Sequence, residues 1–264
     1  MLEINKIHQG DCLELMKEIP DKSIDMILCD LPYGTTACSW DIIIPLDKLW
    51  EQYKRIIKDK GFIVLTASQP FTTELIYSNK KGFKYCWVWD KGKGSNFVMV
   101  KKQPLKIHEE IIVFGNGTYN PQMVKGENKR DRRKENAMKN GIKNHEEGAV
   151  SLRGYVKHSE DYNPSLRYPK SIIKFGNHLE KENRLHPTQK PLELFKYLIK
   201  TYSNDGDLVL DNCIGSGTTA VACKQLNRDF IGIEKEQKYV DIANKRLSQC
   251  VFLAKSVGDK DGSK

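Results

Sequence analysis

Apolar runs of strand length alternate with stretches of helical periodicity along most of the chain, and this alternation limits the fold more than any single motif. Ile4–His8 reads as a short strand ending at Gly10-Asp11, and Cys12–Ile19 has helical spacing up to Pro20. Ile24–Cys29 is a compact apolar run, the pattern of a buried strand. Pro45 opens an amphipathic helix with Leu46, Leu49, Trp50, Tyr53, Ile56 and Ile57 on one face. Gly61 is expected to cap that helix before a strand over Phe62–Thr66. A helix over Pro70–Tyr77 and strands over Phe83–Trp89 and Glu110–Phe114 follow. The last third predicts helices at Pro191–Tyr202, Thr218–Leu226 and Gln237–Leu247, with strands at Leu208–Leu210 and Phe230–Ile233. The expectation is an α/β fold with a doubly wound, mainly parallel sheet, whose ligands bind beyond the carboxyl ends of its strands.

A polar, poorly periodic segment interrupts this pattern from Gly115 to Asn183. Within it Lys125–Lys143 holds eight Lys/Arg against three Asp/Glu, a local net of +5. The whole chain carries +9, a balance that suits a polyanionic partner. No apolar run reaches the length of a membrane span, and the start of the chain lacks the apolar core of a signal peptide. Seven cysteines without a CxxC pair read as free thiols of a reducing cytoplasm, not as a zinc site. The Gly-, Lys-, Asp- and Ser-rich tail, residues 254–264, reads as disordered.

Four acids stand at or just past predicted strand ends: Asp11, Asp30, Asp211 and Glu234. A single solvated acid there is ordinary; four at equivalent places suggest one crevice lined for a polar ligand. The segment LVLDNCIGSGTTAVACKQL is strand, glycine-rich turn and helix. Gly215 and Gly217 allow close backbone approach, and Ser216 adds a hydroxyl beside exposed N–H groups. The spacing is neither GxGxxG nor a phosphate loop, so a pyrophosphate ligand is disfavoured. Glu234 is placed to accept from ribose hydroxyls. Asp30-Leu31-Pro32-Tyr33 sits where a buried strand stops. The Asp30 carboxylate and the Leu31 carbonyl could accept the two N–H groups of an aromatic amine and favour its tetrahedral, positively charged stage. Pro32 stiffens the turn, and the Tyr33 ring could stack on a flipped base, a role in which its hydroxyl is idle. A plain turn with a packed tyrosine is the competing reading.

These segments resemble a family. Asp30–Tyr33 looks like the (Asp/Asn/Ser)-Pro-Pro-(Tyr/Phe) motif of amino-methyltransferases acting on DNA, with Leu31 in place of the first proline. Asp211–Thr219 resembles their cofactor loop, with Asn212-Cys213 in place of Pro-Phe. His186–Pro191 (HPTQKP) closely matches the segment before that loop. The order of motifs is the permuted one of the β group. The resemblance implies a seven-stranded, circularly permuted, Rossmann-like class I methyltransferase sheet, with the strand before Asp211 beside the strand before Asp30. It divides the chain into a catalytic half (1–114), a target-recognition insertion (115–183) and a cofactor half (184–253). It implies S-adenosyl-L-methionine as cofactor, bound by Asp11, Asp30, Lys190, Asp211, Gly215, Ser216, Gly217, Thr218, Thr219 and Glu234. Double-stranded DNA is the implied substrate, with phosphate contacts from Lys125, Lys129, Arg130, Arg132, Arg133 and Lys134. A homodimer and a cognate restriction endonuclease are candidate further partners. The implied reaction is methylation of adenine N6, since cytosine-N4 members more often carry Ser first in the motif. Cytosine N4 in DNA or an RNA base, a non-catalytic DNA-binding protein and a nucleotide-dependent oxidoreductase are the alternatives.

Overall fold

The computed structural model describes residues 1–35, 38, 41–126, 165–176 and 189–258. The main compact unit is Met1–Asn120 with Lys170–Lys264, built on one large sheet. Its strands are β1 (Lys6–Gln9), β2 (Ile24–Asp30), β3 (Ile57–Ala67), β4 (Phe83–Ser95), β5 (Lys106–Gly115), β8 (Ile172–Lys174), β9 (Leu208–Asp211) and β10 (Asp229–Glu234). Its helices are α1 (Cys12–Leu15), α2 (Leu46–Ile56), α3 (Phe71–Ser78), α4 (Leu192–Tyr202), α5 (Thr218–Gln225) and α6 (Gln237–Gly258). Two further short strands, β6 (Val124–Lys125) and β7 (Leu166–Arg167), pair antiparallel in the smaller unit, Pro121–Pro169. There the Gly126 N–H donates to the Ser165 carbonyl at 2.7 Å.

The sheet order is β1-β10-β9-β2-β3-β5-β4-β8. From β1 to β3 every neighbour is parallel; β5 is antiparallel to both β3 and β4. The predicted meeting of the two chain ends is present, with Met26 opposite Val209 and Ile27 opposite Leu210. At this junction the chain departs in opposite directions, from β9 towards β10 and from β2 towards β3, which opens a crevice at the carboxyl ends.

Residue alternation along β2 builds both cores. Met26 and Leu28 face Leu194, Leu198, Ala220 and Ala243, while Ile27 and Cys29 face Leu49, Tyr53, Ile56 and Phe71. Each such side chain is almost wholly buried, and the Leu, Ile, Met and Phe among them are worth roughly 1.5–3 kcal/mol apiece. In α2 the buried Leu49, Trp50, Tyr53 and Ile56 recur at three- and four-residue spacing, as predicted.

Four details differ from the sequence expectations. The sheet has eight strands instead of seven, because Ile172–Lys174 adds alongside β4 through Val88–Ile172 and its neighbours. A three-residue strand in a polar stretch leaves no periodic signal. These residues fall in the segment expected to be the insertion, whereas the separate unit spans 121–169. Gly61 is no helix cap: α2 ends at Ile56 because Ile57 pairs with Ile24, and Gly61 lies inside β3. The last helix runs to Gly258, eleven residues beyond the predicted end at Leu247 and into the expected tail, since no glycine or proline interrupts it earlier.

Candidate active site

All four strand-end acids line one cavity of about 710 Å³. Gly10-Asp11 follows β1, Asp30 closes β2, Asp211 closes β9 and Glu234 closes β10, so the parallel register itself brings them together. Leu31, Pro32 and Tyr33 line the same cavity, as do Lys190, Gly215, Ser216, Thr218 and Thr219. Gly217 stands just behind the cavity wall, at the start of α5.

One end of the cavity is a buried charge cluster. The Lys190 ammonium is 2.7 Å from both Asp30 carboxylate oxygens and 3.5 Å from Glu109 Oε2. Glu109 Oε1 in turn meets the Lys91 ammonium at 3.1 Å. Burial disfavours a charged Lys190, but Asp30 and Glu109 outweigh it and raise its pKa above the ordinary value. Burial likewise opposes ionisation of Glu109, and Lys190 and Lys91 more than offset it, so its carboxyl lies below the usual range. The resemblance assigned Lys190 to the cofactor; in the structure its charge is engaged by Asp30 and Glu109.

Tyr33 lines the cavity and makes contacts that the sequence did not reveal. Its ring packs on Phe71, centroids 5.6 Å apart and 25° between planes, and the Lys190 ammonium lies 5.3 Å from its centroid. Its hydroxyl is not idle: it donates within 2.8 Å of Asp30 Oδ1 and lies 2.9 Å from the Thr66 hydroxyl, which also bonds Asp30. Burial, then the nearby Asp30 charge, hold the phenol well above its ordinary pKa, so it remains a donor.

The other end of the cavity is the glycine loop. Gly217 has φ +82°, and a Cβ there would lie 2.8 Å from the Ala243 Cβ of α6, so the left-handed backbone and the packing of α6 both call for glycine. A Cβ on Gly215 would meet only the Cys213 carbonyl, at 4.0 Å. The Gly215 N–H donates to Glu234 Oε2 (2.9 Å) and the Glu236 N–H to Glu234 Oε1 (2.8 Å), so Glu234 braces the loop it faces. Asp211 accepts from the Cys213 N–H at 3.1 Å and from the Thr219 hydroxyl. Its burial pushes its pKa up to about 7 despite these bonds. Asp11 caps α1 by accepting from the Leu13 N–H at 2.9 Å.

Several functional neighbours left no sequence signal. Arg246 of α6 donates to the Ser216 carbonyl (2.5 Å) and hydroxyl (3.0 Å), tying the loop to the last helix. Asn212, where the resembled family has proline, accepts from the Tyr53 hydroxyl at 2.5 Å, so a core tyrosine holds the departing residue in place. Lys125 is exposed on β6; Lys129, Arg130, Arg132, Arg133 and Lys134 lie outside the described residues, as do His186, Pro187 and Thr188.

Comparison with known proteins agrees with this geometry. A family model described as DNA methylase, of the N6/N4 methyltransferases, matches residues 24–245. The type II methyltransferase M1.MboII of Moraxella bovis is 31% identical over 94% of this chain and 98% of its own length. M.HinfI of Haemophilus influenzae, also a type II methyltransferase, is 28% identical over 93% of this chain and 69% of its own. Among solved structures, the M1.HpyAVI–SAM complex superposes with a TM-score of 0.58 at 24% identity, over 92% of this chain and 99% of that one. PvuII DNA methyltransferase (cytosine-N4-specific) gives 0.64 at 14% identity, over 92% and 90%. These structural likenesses establish the class I methyltransferase fold. The chain belongs to the DNA methylase family of N6/N4 methyltransferases.

Proposed function

We propose that the chain is a site-specific DNA methyltransferase acting on the N6 amino group of adenine, in the manner of a type II modification enzyme. The observation that carries this reading is the placement of Asp30 and the Leu31 backbone at one end of a cavity whose other end is the glycine loop. S-adenosylmethionine, when bound, supplies an electrophilic methyl group on a sulfonium. The cavity fits such a group: Gly215 leaves room where any side chain would project, and the carboxylates of Asp11, Asp211 and Glu234 suit a cation bearing ribose hydroxyls.

Asp30 and the Leu31 carbonyl accept the two N–H groups of the target amine, which turns the nitrogen lone pair towards the incoming methyl. With S-adenosylmethionine bound, the amine nitrogen would take the methyl, the thioether would leave, and the surplus amine proton would pass to solvent. The Tyr33 hydroxyl and Thr66 fix the carboxylate, while Lys190 balances its charge. Adenine is favoured over cytosine by Asp as the first residue of the motif. DNA affinity comes from the basic stretch around Lys125–Lys134.

Long-read sequencing of DNA from cells expressing the chain tests the reading, with N6-methyladenine at one short motif as the expected result. N4-methylcytosine would move the assignment to the other amine, and unmodified DNA would overturn it. Asp30→Ala should lower single-turnover methyl transfer about 10²–10³-fold with cofactor affinity unchanged.

A further inference from the structure

We propose that the tip of the β4–β5 hairpin is an apolar wedge that enters duplex DNA and holds the gap left by the flipped base; this rests on the functional reading above. The hairpin stem lines the cavity through Lys91, Ser95, Lys106 and Glu109. The last residue of β3, Ala67, pairs with Glu110, and the β4–β5 ladder continues to Ser95–Lys106. The hairpin therefore projects past the carboxyl end of β3 by four residues, roughly 13 Å. Lys106 bonds the Ser68 hydroxyl, and the Ser95 hydroxyl bonds the Lys106 carbonyl at 3.0 Å, so the stem is fixed to the site.

Beyond the stem the chain turns at Asn96 into a short 3₁₀ helix, Phe97–Met99, closed by its own backbone bonds. That turn presents Phe97 at 66% exposure, Val98 at 95% and Val100 at 54%. Large apolar side chains clustered on an ordered tip mark a contact surface. The charge around them selects the partner. Residues 91–108 contain five lysines and no carboxylate, and Lys93, Lys101 and Lys102 are exposed. An apolar point within a cationic collar, beside a cavity that receives a base, matches a wedge between base pairs flanked by phosphates. A protein partner of ordinary interface composition would leave the uncompensated lysines unexplained.

The test is single-turnover transfer of labelled methyl to duplex DNA bearing the motif found by sequencing. Phe97→Ala/Val98→Ala should lower the rate about tenfold or more, with unchanged cofactor affinity and melting temperature. An abasic site opposite the target base removes the pairing that must be broken, and should bring the variant to within about twofold of the parent. A variant equal to the parent on paired DNA, or a deficit the abasic site leaves in place, overturns the wedge. Conversion of an oligomer into monomers by the same substitutions overturns it in favour of a contact between copies of the chain. Failure of the parent itself to methylate DNA removes the functional reading, and the wedge with it.

Discussion

Lys190→Met tests whether the buried charge cluster holds the active site together. The ammonium is 8% exposed, and its partners Asp30 and Glu109 are 21% and 15% exposed, so solvent screens the three weakly. At an effective dielectric near 20, contacts of 2.7 Å and 3.5 Å correspond to gross attractions of about 6 and 5 kcal/mol. Desolvation offsets much of this, but removing one partner leaves the carboxylates buried without it, a change that typically costs about 3–5 kcal/mol. Methionine keeps the length of the stem, so the loss reports the charge. The pH dependence follows from Glu109, whose folded-state pKa lies below its ordinary 4.5. Such a group stabilises the fold above its unfolded pKa and loses that contribution as pH falls through the folded value. With only Lys91 left to oppose burial, the variant loses most of this contribution. Urea unfolding should therefore show the full deficit at pH 7 and a smaller one below about pH 4.5. A deficit under about 1 kcal/mol at pH 7, or one of equal size at both pH values, would refute the reasoning.

Tyr33→Phe should slow methyl transfer by about tenfold in single-turnover assays, because it removes one of the two hydroxyl donors that hold Asp30 Oδ1; a silent substitution would reduce Tyr33 to its ring. Gly217→Ala should lower stability by about 1–3 kcal/mol in urea unfolding, through the clash with Ala243 and the positive φ; an unchanged midpoint would contradict the packing role. Asp211, with its pKa raised by burial to about 7, should give up a proton when a cation binds beside it. Calorimetry at pH 7 in buffers of different ionisation enthalpy should show proton release that Asp211→Asn abolishes, and equal release in that variant would assign the proton elsewhere.

Acids at strand ends could be found from the chain alone because parallel strands deliver their carboxyl ends to one edge. Once Asp11, Asp30, Asp211 and Glu234 are each placed after a strand, the crevice follows without knowledge of a single tertiary contact. The Lys190–Asp30 pair could not be found that way. Periodicity says which side of an element is buried, whereas 160 residues separate these partners and their meeting depends on where α4 lands. Tyr53 was legible as a core residue by helical spacing, but the pattern treats it as apolar and is blind to its hydroxyl on Asn212. Arg246 belongs to the polar side of a helix, where sequence patterning expects only solvent. Even the base-stacking expectation for Tyr33 came from residue type; that its hydroxyl serves Asp30 depends on Thr66, delivered by the neighbouring strand.

The surroundings of Asp30 also limit how it can act. Its Oδ1 accepts from Tyr33 and Thr66, and Lys190 lies against both oxygens. A carboxylate so engaged is held in orientation by three elements of the fold, β2, β3 and the segment leading into α4. Charge in the cluster is balanced, since Lys91 and Lys190 match Asp30 and Glu109. A target amine entering the cavity therefore meets little net negative potential from this group. What it meets is a directed acceptor, already paid for in desolvation when the chain folded. On the proposed reaction, orientation of the nitrogen lone pair is then the larger part of what Asp30 would contribute. The groups that hold it, Tyr33 and Thr66, would then set the rate as positioning residues without touching the reacting atoms.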